Sequence, residues 1–407
     1  MKNGLDLLRS QAALFEGSDV PLGMDEYQQF TRQTAQDQRP GIEGLSFTLL
    51  GLFGETGSLL SELKKKQRDR DAYVGYHDSV LEELGDCLWY FANTALRAGL
   101  DLSLVAHRAM ERLDGWTYHG RAGARTFVAL QKPKAELVGP GTGPEFERRL
   151  IALAGKVGHL LEDFSVGRID ANGDAFSADL VDIFRALVAA ADDAQVSLDE
   201  AAQRNIAKAL DRWPLRRAWS PSFDEDFDQD ERLPRRIIMS FREKDINGKK
   251  YVIQRCNGIN IGDRLTDNRV EPDDYRFHDV FHLAYAAILG WSPVIRALFR
   301  VKRKSKPLVD ENQDGARAIL IEEGVSTWIF NHAARLHDFR NVKSLDYGLL
   351  KAIRQLVEGY EVEERPLWQW ELAIPEGFRI FREMRVYRAG TVTADLDAHT
   401  ITFEVAE

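Results

Sequence analysis

The sequence predicts a mainly α-helical protein, two tandem helical-bundle modules followed by an α+β domain of helices with small β-hairpins. Three observations carry this expectation. Apolar residues recur at three- and four-residue intervals through most of the chain, two long stretches repeat one another, and turn-flanked β-rich runs appear beyond residue 234.

Of the 407 residues 44% are hydrophobic, ample for packed cores in several domains. No stretch approaches the roughly 20 apolar residues of a membrane span. The opening "MKNGLDLLRSQAALFEG" mixes charge into an amphipathic pattern, unlike a secretory leader. Two cysteines, Cys87 and Cys256, argue against a disulfide framework and for a reducing, cytoplasmic setting. A net charge of -10 argues against broad nucleic-acid binding, which needs a dominant basic surface.

The first module is expected over 1–130. Leu49, Leu52, Phe53, Leu59 and Leu60 fall at helical spacing, as do Leu84, Leu88, Phe91 and Leu96, and "AGLD" at Ala98 to Asp101 reads as a turn. "QKPKAELVGPGTGPEF", Gln131 to Phe146, is Pro- and Gly-rich and reads as a linker. The second module, 146–219, repeats the first. "LFGETGSLLSE" (Leu52 to Glu62) matches "LAGKVGHLLED" (Leu153 to Asp163), and Glu82 to Trp116 matches Ala178 to Trp213, with Ser197 as a helix N-cap. "SPSFDEDFDQDERLP", Ser220 to Pro234, is acidic with prolines at both ends and reads as a second boundary. The third domain, 234–407, opens with a hairpin about Asn247-Gly248, returns to helical period from Asp273 to Leu367, and closes with a hairpin in "MRVYRAGTVTADLDAHTITFEV".

Carboxylates mark the first module. Glu55 and Glu62, seven residues apart, share one helical face, and Glu83 and Asp86, three apart, share a face of the next helix. Facing one another across a cleft they would repel unless protons or a hard divalent cation neutralised them, and magnesium prefers such oxygen ligands. The alternative is a set of solvated surface acids paired with lysines of "ELKKKQRDRD". Against it, Glu55, Glu83 and Asp86 are embedded in apolar segments.

"GETGSLLSEL" followed by "EELGDCLWYF" resembles the MazG-like all-α nucleoside triphosphate pyrophosphohydrolases, whose motif is E-x-x-E on one helix and E-x-x-D on the next. "MDEYQQFTRQTA", Met24 to Ala35, is similar to that family's first helix. The resemblance covers residues 24 to 120 and, more weakly, 146 to 214. It implies a magnesium-dependent hydrolase that cleaves a (d)NTP to (d)NMP and pyrophosphate, water attacking the α-phosphorus. Carried over, Glu55, Glu83 and Asp86 are the catalytic, metal-binding acids. The motif's second acid falls on Ser58, a departure for which Glu62 or Glu82 could compensate.

In the repeat Glu55, Ser58, Glu83 and Asp86 become Lys156, His159, Asp179 and Asp182, so no magnesium site is expected there. The resemblance implies a cleft built from two packed copies, and a degenerate copy in tandem can stand in for a partner subunit, with further homo-oligomerisation left open. Two readings of Lys156 and His159 follow: contact with substrate, or a salt bridge that seals a retired site.

In the third domain "DDYRFHDVFHLAYAAILGW" sets His278 and His282 four residues apart beside Asp279, and "RAILIEEGVSTWIF" places Glu322 and Glu323 in an apolar helix. Two histidines and a carboxylate can hold zinc or another transition ion, while a structural histidine pair is the plainer reading. "RVKRKSKP" offers Arg303 and Lys304 to a substrate phosphate, or is an exposed loop. The domain looks similar to the C-terminal extension of some MazG-like proteins. A different class of function is a nucleotide-sensing or scaffolding helical module, with any metal-dependent phosphohydrolase activity in the third domain. Ser58 is the feature that favours it.

Overall fold

The helical period of the first half becomes a run of α-helices: α1 (Met24–Thr34), α2 (Gly41–Asp69), α3 (Tyr76–Arg97), α4 (Leu102–Met110), α5 (Pro144–Ser165), α6 (Asp174–Asp193) and α7 (Leu198–Arg212). The computed structural model describes residues 21–36, 39, 41–110, 126–131, 143–170 and 173–406, so the opening segment and most of the expected linker 131–146 lie outside the described residues. The chain divides into two units, Met1–Ala218 and Trp219–Glu407.

In the first unit the repeated stretches form α2 and α5. Leu45, Leu49, Leu52, Leu59 and Leu63 are buried along α2, and Phe146, Leu150, Leu153, Val157 and Leu160 along α5. The two helices run antiparallel: Gln67, late in α2, donates to Glu147, early in α5, at 2.9 Å, and Gly158 lies opposite the Phe53 ring. The copies then exchange helices, α3 packing on α7 and α4 on α6. Phe91 of α3 meets Phe184 of α6 with ring centroids 5.1 Å apart. One continuous core results, drawing on both copies, because a few short helices leave apolar stripes that only a second set can cover. Ser197 caps α7 as expected, its hydroxyl accepting from the Glu200 amide at 3.2 Å.

The second unit carries strands β1 (Arg236–Ile246), β2 (Lys249–Cys256), β3 (Ile259–Asn260), β4 (Ala389–Asp395) and β5 (Thr400–Val405). Asn247 and Gly248 turn the first hairpin with φ of 54° and 79°, as a two-residue loop requires. The two expected hairpins are not separate. β1 pairs with β4, giving one antiparallel sheet in the order β3-β2-β1-β4-β5. "MRVY", read with the second hairpin, is instead the end of a helix.

Around the sheet lie α8 (Asp279–Leu289), α9 (Pro293–Phe299), α10 (Pro307–Asn312), α11 (Ala316–Ala333), α12 (Tyr347–Leu356) and α13 (Leu367–Tyr387). Every residue of α8 is buried, as expected of a helix apolar on all sides. It lies along α13, where a side chain at Gly377 would press on Ala284 and Phe281. The acidic segment 220–234 reads as a boundary in sequence but belongs to this unit. Asp224 is fully buried and paired with Arg235 at 2.6 Å and Arg296 at 2.7 Å, so charge that suggests a solvated linker is neutralised in the core. Among the described residues no single helix is long and apolar enough to cross a membrane.

Candidate functional site

Glu55 on α2 and Glu83 and Asp86 on α3 each bring a carboxylate oxygen within 4.8 Å of the others. Their positions follow from the apolar stripes: Leu52 and Leu59 on α2, and Leu84 and Leu88 on α3, are buried in the shared core and hold the acids at its half-buried edge. Burial, then the charges of Glu55 and Asp86, push the Glu83 carboxyl up to about 8. Burial and Asp86 likewise raise Glu55, and burial raises Asp86 although Lys208 opposes it. A half-buried trio with this much surplus negative charge fits a bound divalent cation. The Ser58 side chain, at the position of the motif's second acid, works against this rise at Glu55.

Glu62 is not part of the trio. It accepts from Lys65 Nζ at 2.6 Å and from the Tyr73 hydroxyl, because the turn after α2 folds Tyr73 back over it. Glu82 pairs with Lys208 at 3.1 Å.

Two residues that sequence spacing did not reveal complete the site, both from α7 of the degenerate copy. Lys208 Nζ lies 2.5 Å from Asp86 Oδ2, and Asn205 Nδ2 donates to Asp86 Oδ1 at 2.9 Å. Asn205 Oδ1 accepts in turn from the buried Tyr27 hydroxyl at 3.0 Å. The close approach of α3 and α7 depends on Gly85, where a Cβ would stand 2.7 Å from the Ala201 carbonyl oxygen.

At the corresponding place in the second copy cations stand beside Asp182. Lys156 lies 3.9 Å and Arg185 3.0 Å from Asp182. His159 lies 4.0 Å from Glu162 and 3.7 Å from Asp163. Lys156 and His159 are thus engaged with acids of their own copy. Among the described residues no cluster of three metal-ligating side chains forms there.

In the second unit His278, Asp279 and His282, all buried, also gather their ligand atoms within 4.8 Å. His278 Nδ1 donates to the Tyr275 carbonyl at 2.9 Å, and His282 Nδ1 donates to Glu322 Oε1 at 2.8 Å. Glu322 is saturated, accepting further from the Ser292 hydroxyl at 2.6 Å and the Val294 amide at 2.8 Å. Glu323 faces both rings, 3.7 Å from His278 Nε2 and 3.6 Å from His282 Nε2. The two adjacent acids on α11 therefore divide their roles.

Residues 218–407 match the family of the MazG C-terminal domain. A 74-residue stretch is also 39% identical to the Gene 37 protein of Mycobacterium phage L5, covering 18% of this chain and 65% of that protein. No solved structure matches.

Within residues 218–407 the basic run takes a different role from the one its charge suggests. Arg303 is 1% exposed, and its guanidinium is committed to Asp314 at 2.7 Å and Glu361 at 2.7 Å. It is a strut of the domain core, not a free phosphate ligand. Lys304 beside it is exposed.

Proposed function

We propose that the first unit is a magnesium-dependent nucleotide pyrophosphohydrolase that cleaves a (d)NTP into (d)NMP and pyrophosphate. The observation that supports this reading is the convergence of Glu55, Glu83 and Asp86 from two neighbouring helices, in the order of the MazG-like motif. The match of residues 218–407 to the family of the MazG C-terminal domain is consistent with it.

Glu55, Glu83 and Asp86 would hold the ion, and magnesium there would neutralise triphosphate charge and lower the pKa of a bound water. The protein's own part is positional. Asp86 cannot rotate, since Asn205 holds one of its oxygens and Lys208 the other. Glu55 and Glu83 crowd one another and are raised by burial and neighbouring carboxylates, and a divalent cation there would relieve that repulsion. Lys208 comes from the second copy, so that copy contributes to the site although its own Asp182 is paired with Lys156 and Arg185.

The test is turnover by the full-length chain of a panel of canonical and modified dNTPs in ¹⁸O-water with magnesium. The expected products are pyrophosphate and a nucleoside monophosphate that carries the ¹⁸O. Orthophosphate as the product, label in pyrophosphate, or no magnesium-dependent turnover of any substrate would contradict the proposal.

A further inference from the structure

We infer that the second unit holds a first-row divalent transition-metal ion between His278, Asp279, His282 and Glu323, a site separate from the magnesium site proposed for the first unit. The hydrogen bonds decide where the ring lone pairs lie. A carbonyl and a carboxylate can only accept, so both Nδ1 atoms carry hydrogen, at the Tyr275 carbonyl and at Glu322. In the neutral rings this leaves Nε2 of each as a lone pair. Both Nε2 atoms face the Glu323 carboxylate.

Spacing points the same way. Ligand atoms about 2.1 Å from one ion stand roughly 3.0 to 3.4 Å apart at octahedral to tetrahedral angles. His278 Nε2 lies 3.1 Å from Asp279 Oδ1, while Glu323 lies 3.7 Å from His278 and 3.6 Å from His282. These gaps are close to those that an ion would span. The alternative, an imidazolium paired with carboxylates, needs a hydrogen-bond acceptor for His282 Nε2. That atom is buried and has no hydrogen-bond partner, and 3.6 Å to Glu323 is too long for one.

The supporting contacts have the form expected around a metal. Glu322 accepts from the far side of His282, and Gln254, itself buried, donates to the second oxygen of Asp279. Paired imidazoles select a transition ion over magnesium, which takes oxygen ligands. Glu323 is 38% exposed, which gives the ion a route from solvent.

Cobalt titration of the chelator-stripped full-length chain, followed by visible d–d absorption, tests the inference. With millimolar magnesium present to occupy the acids of the first unit, wild type should give a band that saturates near one cobalt per chain. Glu323→Ala, which removes a partly exposed side chain, should weaken cobalt binding at least tenfold, and His282→Ala should abolish the band. Glu322→Gln should weaken binding by about 10- to 100-fold, as loss of a ligand-orienting partner does. Glu83→Gln in the first unit should leave the band unchanged. Absence of the band in folded wild type, or its persistence at unchanged affinity in both Glu323→Ala and His282→Ala, would overturn the inference. If His282→Ala fails to fold, Glu323→Ala alone decides.

Discussion

Glu83→Gln is expected to reduce magnesium-dependent pyrophosphate release by at least about 100-fold while making the metal-free protein more stable at pH 8. The two effects share one cause. In the folded chain Glu83 is pushed up to about 8 from an ordinary 4.5 by burial and by Glu55 and Asp86. Between those values the folded state retains a proton that the unfolded chain has released. Stability therefore falls as pH rises through that window, and the stabilisation is fully present only below it. The amide has no proton to lose and no charge to repel its neighbours. Thermal unfolding at pH 5 and pH 8 with chelator should show wild type losing stability with pH more steeply than the variant. Magnesium at pH 8 should then raise the wild-type midpoint and leave Glu83→Gln nearly unmoved, since ligand binding to the folded state alone is stabilising. A variant that retains activity, or one less stable than wild type at pH 8 without metal, would contradict this account.

The largest stability effect is expected at Arg303. Arg303→Ala leaves mostly buried Glu361 without its ion-pair partner and fully buried Asp314 with only Arg296, 3.6 Å away, a class of change that costs about 3–5 kcal/mol. For a unit of this size that lowers the unfolding midpoint by roughly 6–20 °C. Lys304→Ala, at an exposed neighbour, should fall within about 0.5 kcal/mol of wild type. Calorimetry separates the two variants. A stable Arg303→Ala protein with weakened nucleotide binding would instead restore Arg303 as a phosphate ligand.

These two residues show what could be read in the sequence and what could not. The acids were legible because helical period alone places Glu83 beside Asp86 and sets the Glu55 face against an apolar core. Glu62 shares that face, yet the chain reversal after α2 brings Tyr73 onto it, and nothing in the spacing of α2 reports a residue eleven positions on. Asn205 and Lys208 were illegible for a stronger reason. Their contact with Asp86 spans more than a hundred residues and exists because the two copies exchange helices through Gly85. A sequence repeat implies that two copies resemble one another, not which helix of one covers the other.

The second unit repeats the lesson. Each hairpin was legible from turn chemistry at Asn247-Gly248 and from alternating residues near the end, but their union through β1 and β4 is a long-range pairing. In "RVKRKSKP" charge suggested solvent, whereas Arg303 pairs with buried Asp314 in the next turn of chain and with Glu361, 58 residues on. The pair Glu322 and Glu323 was legible as a pair. Only the hydrogen bonds of Ser292 and Val294 assign Glu322 to orienting His282 and leave Glu323 facing the ring nitrogens.

The central claim is that α2 and α3 present three carboxylates to one divalent ion. Anomalous diffraction from crystals of the full-length chain soaked in manganese, a magnesium surrogate visible at its absorption edge, tests it most directly. The account predicts a peak bounded by Glu55, Glu83 and Asp86, with none at Asp179 and Asp182 in the repeat. A peak in the repeat, or well-ordered Glu55, Glu83 and Asp86 with no peak between them at saturating manganese, would contradict it.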